Sequence, residues 1–144
     1  VEGSKLGLPL WTLLVHDLSK LLPSEWLGYA EWKYDQMANE GGGTNKNERG
    51  FGMSWFLHTH KRNRHHFQWW IYTDDQGGCI YSVEMPLRYV REMVADWRAT
   101  QMIRFGHTNV RFYYDTNREV ILLHEETRRW LEAIIDYDYD NKSM

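Results

Sequence analysis

Apolar residues crowd the start of the chain. In the run Leu8-Pro9-Leu10-Trp11-Thr12-Leu13-Leu14-Val15-His16-Asp17-Leu18-Ser19-Lys20-Leu21-Leu22, leucines at 10, 13, 14, 18, 21 and 22 leave no face wholly polar. Pro9 suits a first helical turn and Pro23 forces a stop, so the pattern predicts a buried helix from Pro9 to about Leu22. Ser24 is placed to cap a second helix, Glu25 to about Ala38, with Trp26, Leu27, Tyr29, Ala30, Tyr34 and Met37 as its apolar stripe. Residues 39–50 carry nothing more apolar than a threonine methyl and read as a mobile loop, either a lid or a tolerated insertion. Met53, Phe56 and Leu57 fit a third helix from Phe51 to about His60.

Period two replaces the helical period only once. Trp69 to Tyr72 and Cys79 to Val83 flank the turn-rich Asp74-Asp75-Gln76-Gly77-Gly78, which predicts a small β-hairpin. Pro86 then opens a helix to about Thr100, with Tyr89, Val90, Met93, Val94 and Trp97 on its apolar side. A helix from Thr108 to about Arg118 and a last one from Glu125 to Ile135 follow, with residues 136–144 expected as a frayed acidic tail. The fold class is mainly α, five or six helices with one small hairpin. No internal repeat is present.

Length and composition narrow this further. A chain of 144 residues makes one domain, and eight Trp, nine Tyr and five Phe supply enough bulk for a core. A net charge of -3 argues against nucleic acid as a partner, the cluster Lys61-Arg62-Asn63-Arg64 being short. The lone Cys79 excludes an internal disulfide and a cysteine-rich zinc site. No stretch approaches the roughly 18 apolar residues of a membrane span, and nothing resembles a signal peptide, so the expected location is the cytoplasm. Val1 stands about one turn before the first helix, which leads to the expectation that the natural protein extends upstream. Oligomeric state is left open.

The chemistry begins at His16-Asp17. An imidazole and a carboxylate among leucines need a cation, a hydrogen-bond network or a metal, because an unpaired buried charge costs several kcal/mol. Four of the seven histidines, His58, His60, His65 and His66, fall within nine residues. His58 and His65 lie seven apart, about 10 Å along an unbroken helix, too far for one ion. Either the helix breaks near Asn63 and folds the later pair back, or two metals are held. Glu92 and Asp96 are four apart and able to face the core together, Glu92 as an orienting partner or as a salt bridge to Arg88. Lys20, four residues after His16, is either a phosphate ligand or a cation on the helix dipole. Such ligands without thiolates suit Zn, Mn, Fe, Ni or Co. His60 reads as solvated, and His107 and His124 as structural, His124 at the start of the last helix. Trp69 and Trp70 read as core.

In their order, these residues resemble a known pattern. His16-Asp17 with downstream histidines and a later Asp resembles the HD-domain superfamily of metal-dependent phosphohydrolases, which are all-helical. The chain is more closely similar to an uncharacterised family of bacterial and phage domains, at His16-Asp17-Leu18-Ser19-Lys20 with Glu25, at Trp55 to His58, at Asn63-Arg64-His65-His66 to Trp70, at Met85-Pro86, at Glu92 to Trp97 and at Leu123 to Arg128. The resemblance implies an HD-like helical bundle holding one or two divalent transition metals through His16, Asp17, His58, His65, His66 and Asp96. It departs from the superfamily in one respect, since no histidine precedes His16. The expected activity is hydrolysis of a phosphate ester, such as a nucleotide, by metal-activated water. Lys20, Arg62 and Arg64 are the expected phosphate ligands, and Lys20 and Glu92 the expected catalytic side chains. Two other readings stand beside it: an HD-like di-iron oxygenase, and a non-catalytic phage binding or assembly protein that keeps the fold.

Overall fold

The computed structural model describes residues 6–38 and 48–142. Within them the protein is mainly α-helical with one two-stranded antiparallel sheet. Helix α1 spans Leu10–Val15 and a 3-10 turn spans Leu18–Leu21. Helix α2 is Pro23–Ala38, and α3 is Glu48–Phe56, continuing directly as a π-helix over Leu57–Arg62. A 3-10 turn at Phe67–Trp70 leads into strands β1 (Ile71–Thr73) and β2 (Ile80–Ser82). Helices α4 (Leu87–Phe105), α5 (Val110–Asn117) and α6 (Glu125–Lys142) complete the chain.

The first helix differs most from its expectation. The pattern predicted a continuous buried helix to about Leu22, but the α-helix ends at Val15 and the chain turns at His16-Asp17. Asp17 leaves helical geometry, with φ -114° and ψ 16°, and its carboxylate is drawn inward to Lys20 and His58. The surrounding leucines point outward: Leu10, Leu14, Leu18, Leu21 and Leu22 are all exposed. Burial of the His-Asp pair therefore comes from its own polar partners and not from a leucine jacket.

Other boundaries moved for local reasons. The third helix begins at Glu48, so residues 48–50 of the expected loop are its first turn, and residues 39–47 lie outside the described residues. Helix α4 runs to Phe105, where Gly106 takes the left-handed conformation (φ 72°) and its N–H closes on the Met102 carbonyl. Asn109 caps α5 by accepting from the Phe112 N–H. Helix α6 continues past the expected end at Ile135 to Lys142, with Asp136 ion-paired to Arg111. The hairpin is one step narrower than expected: Tyr72 pairs with Tyr81 and stacks on it at 5.3 Å, while Trp69 and Trp70 belong to the preceding 3-10 turn.

The two halves of the molecule are built differently. Met85, Val90, Met93, Val94, Trp97, Val110, Tyr114, Ile121, Leu123, Leu131 and Ile135 form one apolar cluster, and all belong to the segment from Met85 onward. Before Met85 the buried side chains among the described residues are polar except for Leu8: Glu25, Ser54, His58, Thr59, Asn63 and His65. Helices α2 and α3 hold this polar half by close backbone approach. Gly28 is buried where α3 crosses, and a Cβ there would overlap both Ser54 Oγ and the Gly50 carbonyl. Trp32 stacks on Phe51 beside the crossing, with centroids 4.6 Å apart.

Gly28→Ala is expected to destabilise the fold by about 1–3 kcal/mol through overpacking. Gly52→Ala, where an added Cβ meets nothing within 4 Å, is expected to be neutral or stabilising by up to about 1 kcal/mol. Urea denaturation of the two variants checks both directions.

Candidate metal centre

The π-helix sets the site. Its wider turn closes with the Asn63 N–H on the His58 carbonyl at 3.1 Å, five residues back, and Asn63 itself is extended (φ -118°, ψ 105°). The chain therefore breaks where the histidine spacing required one of its alternatives to break it, and His65 and His66 fold back on His58. Ring centroids of His58 and His66 are 4.7 Å apart, and those of His65 and His66 are 4.3 Å apart. π-turns of this kind are often found at functional sites.

Asp17 reaches this group from the turn after α1. Asp17, His58, His65 and His66 each offer one ligand atom, and the four atoms lie within 4.8 Å of one another. Asp17 Oδ1 stands 3.4 Å from His58 Nε2 and 3.8 Å from His65 Nε2. Asp17 Oδ1 and the Nε2 atoms of His58, His65 and His66 are all buried with no hydrogen-bond partner. Four such atoms facing one point are costly, since each buried polar group without a partner forfeits about 1–3 kcal/mol. A cation there would satisfy all four at once, and imidazole and carboxylate donors fit a divalent transition metal.

A second group shares the same carboxylate. His16 Nε2 is 3.5 Å from Asp17 Oδ2 and 4.0 Å from Asp96 Oδ1, and His16, Asp17 and Asp96 again offer ligand atoms within 4.8 Å. The two oxygens of Asp17 thus face different neighbours, Oδ1 toward His58 and His65, Oδ2 toward His16 and Lys20. Asp96 comes from α4, on the wall of the apolar half.

A layer of carboxylates orients the rings from behind. Glu25, fully buried, receives His58 Nδ1 at 3.0 Å, Ser19 Oγ at 3.1 Å and Arg62 Nη1 at 2.7 Å. Asn63 Nδ2 lies 2.7 Å from Ser19 Oγ, 2.8 Å from His58 Nδ1 and 3.1 Å from the His58 carbonyl. With its proton on Nδ1, His58 donates to the Glu25 carboxylate and turns its Nε2 lone pair to the centre. Glu92 Oε1 stands 3.4 Å from His65 Nδ1 and does the same for that ring.

Charge follows from this geometry. Burial alone raises the Asp17 carboxyl, but His58, Lys20 and His16 outweigh it and hold Asp17 well below the usual carboxylate range. Burial, reinforced by His65 and His58, pushes His66 down to about 2, so its imidazole is neutral at physiological pH. Asp96 is raised, by burial first and by the nearby negative Asp17. Tyr29 packs edge-on to His58 with centroids 6.3 Å apart, and its hydroxyl is buried without a hydrogen-bond partner. Burial and the negative charges of Glu25 and Asp17 raise that phenol, which stays protonated.

The remaining expected site residues are spread more widely. Lys20 is ion-paired with Asp17 and about half exposed at the rim. Arg62 is committed to Glu25 and Ser24 Oγ, and so braces the ligand-orienting carboxylate. Arg64 lies outside the cluster with its guanidinium over Trp69, 5.5 Å from the ring centroid. His60 turns away to stack on Phe56, and His124 Nδ1 accepts from the Glu126 N–H at the start of α6. Arg88 bonds to the Tyr89 hydroxyl. The sequence reading gave no site role to Glu25, Asn63 or Tyr29. Glu25 sits in a first helical turn, where a carboxylate is ordinary, so only its place beside the His-Asp motif pointed to it.

The fold and the centre together define a mainly helical protein in which histidines and carboxylates from four chain segments form two adjoining groups that share Asp17. The chain belongs to a family of unknown function: the family described as "Family of unknown function (DUF5662)" matches residues 1–137. No curated protein and no solved structure matches it. No helix among the described residues is long and apolar enough to cross a membrane.

The depressed His66 sets a pH dependence for the metal-free protein. His66 binds its proton in the unfolded chain near the ordinary value of 6.5 but not in the fold until about 2. The unfolded state therefore binds more protons below pH 6.5, and stability falls as pH falls, by up to about 1.4 kcal/mol per pH unit. Denaturation midpoints between pH 7 and 5 are expected to show this slope, and His66→Asn to flatten it.

Proposed function

We propose that the protein is a metal-dependent hydrolase of phosphate esters, with nucleotides as the substrate class to test first. The observation that carries the reading is the convergence of four buried, unpartnered ligand atoms, Asp17 Oδ1 and the Nε2 atoms of His58, His65 and His66. His16, Asp17, His58, His65, His66 and Asp96 would hold one or two divalent cations, Asp17 serving both groups. A cation so held supplies Lewis acidity and lowers the pKa of a coordinated water to about 7.

The chain's own residues do the rest. Glu25 and Glu92 fix the His58 and His65 rings with their lone pairs inward. Lys20 offers an ammonium at the rim, where an anionic phosphate oxygen would meet it beside Asp17. The protonated Tyr29 hydroxyl supplies a neutral donor within a buried wall. Arg62 supports this reading only indirectly, by holding Glu25, and Arg64 is engaged with the Trp69 ring.

Protein prepared without chelator is expected to carry stoichiometric transition metal and to release phosphate from members of a nucleotide panel. Asp17→Ala is expected to lose both. Glu25→Gln is expected to keep the fold and weaken metal affinity about 10–100-fold, the usual effect of losing a partner that orients a ligand. Absence of bound metal from wild type in the presence of excess Zn, Mn, Fe, Ni or Co would sink the proposal. Bound iron with oxygen consumption and no phosphate release would replace hydrolysis with the oxygenase reading.

A further inference from the structure

The two groups of candidate ligands are not alike. The Asp17-His58-His65-His66 group is the deeper: His58 is 1% exposed and His65 2%, and its Asp17 Oδ1 and three Nε2 atoms have no hydrogen-bond partner. In the His16-Asp17-Asp96 group the side chains are 28%, 23% and 21% exposed. There Asp17 Oδ2, the oxygen 3.5 Å from His16 Nε2, is already engaged by the Lys20 ammonium. We propose that Lys20 fills the second cation position of the centre. The protein then holds one resident divalent ion, in the Asp17-His58-His65-His66 group, and a second enters the His16-Asp17-Asp96 group only where the ammonium is removed. The proposal rests on the metal reading of the centre and fixes the number of ions at one.

Local geometry puts the ammonium there. Asp17 precedes the 3-10 turn Leu18–Leu21, and the Lys20 N–H closes on the Asp17 carbonyl at 2.9 Å. Side chains three apart eclipse in such a turn, so the Lys20 stem runs beside the Asp17 carboxylate. Its charge reaches further: burial raises the Asp96 carboxyl, while His65, Lys20 and His16 draw it back. The ammonium therefore acts on both carboxylates of the second group. It is a compact point charge with three donors and no acceptor, able to neutralise a carboxylate but not to ligate water as a metal does. A divalent ion seated at Asp17 Oδ2 would stand against it, and like charges at that range repel. Two-metal hydrolases clamp the attacking and leaving oxygens between ions about 3.5–4 Å apart. Here a phosphate ester would meet one ion and one ammonium, the ion to activate water and the ammonium, its side chain 44% exposed, to bind an anionic oxygen.

The test counts bound metal per chain after dialysis of the purified protein against Zn, Mn, Fe, Ni or Co alone. Wild type is expected to hold one equivalent. Lys20→Met, which keeps the apolar stem and removes the charge, is expected to gain a second equivalent with circular dichroism unchanged. Adding Asp96→Asn to Lys20→Met is expected to return the count to one, because the gained ion uses the Asp96 carboxylate. Two equivalents in wild type overturn the proposal and leave the hydrolase reading standing. So does a count of one in Lys20→Met, the result if Lys20 only pairs with Asp17, or a count of two that survives Asp96→Asn. No ion in wild type with any of the five metals overturns the hydrolase reading, and the proposal with it.

Discussion

The structure depends on how one half of the molecule holds a buried polar centre without an apolar core of its own. From Met85 onward the helices close around Met93, Val94, Tyr114 and Leu131 in the ordinary way, by removing apolar surface from water. Among the described residues before Met85 the buried groups are, Leu8 apart, Glu25, Ser54, His58, Thr59, Asn63 and His65. Groups of that kind contribute little by burial and cost much when unpartnered. The arrangement is coherent because nearly every outward-facing polar atom of the cluster has a partner. The unpartnered ones, Asp17 Oδ1 and three imidazole Nε2 atoms, belong to four residues whose ligand atoms lie within 4.8 Å of one another.

Glu25 is the hinge of that arrangement. A fully buried carboxylate that met only an imidazole would be costly, but here Arg62, Ser19 and His58 all donate to it, and Asn63 ties Ser19 to the His58 carbonyl. A satisfied buried network fixes geometry more firmly than apolar contact does, since each hydrogen bond has a direction. The ring planes of His58 and His65 are thereby set before any ligand arrives, and preorganised donors lose less on binding. The π-turn contributes to the same end. It brings Asn63 under His58, so that the residue ending the helix is also the one that locks the ring's neighbours.

The apolar half gives rigidity to the two carboxylates that it contributes. Glu92 and Asp96 stand on α4 among Met93, Val94 and Trp97, all buried, so the two carboxylates are held by packing on either side. The polar half docks against them through His65 to Glu92 and His16 to Asp96. Candidate ligands drawn from the turn after α1, the π-helix, the fold-back after Asn63 and α4 come together only when both halves are in place.

The sequence by itself determined the helical class, the hairpin and the ends set by local chemistry: Pro9 and Pro86 at helix starts, His124 before the last helix, and the turn residues between the strands; Pro23, read as a stop with Ser24 as the cap of the next helix, instead opens that helix. It also marked His16, Asp17, His58, His65, His66 and Asp96 as residues whose types and spacing are hard to explain as ordinary surface. Periodicity misjudged Leu10, Leu14, Leu18, Leu21 and Leu22, which are exposed, because a leucine-rich stretch has the same pattern whether its side chains are buried or not. Only the tertiary structure decided that the chain breaks at His16-Asp17 and at Asn63, that Glu25 is buried beneath His58, and that Arg62 serves Glu25. Each of those outcomes depends on atoms brought together from 33 to 44 residues apart. Local propensity carries no information across such separations, whereas the cost of an unpartnered buried charge is felt only once the distant segments have met.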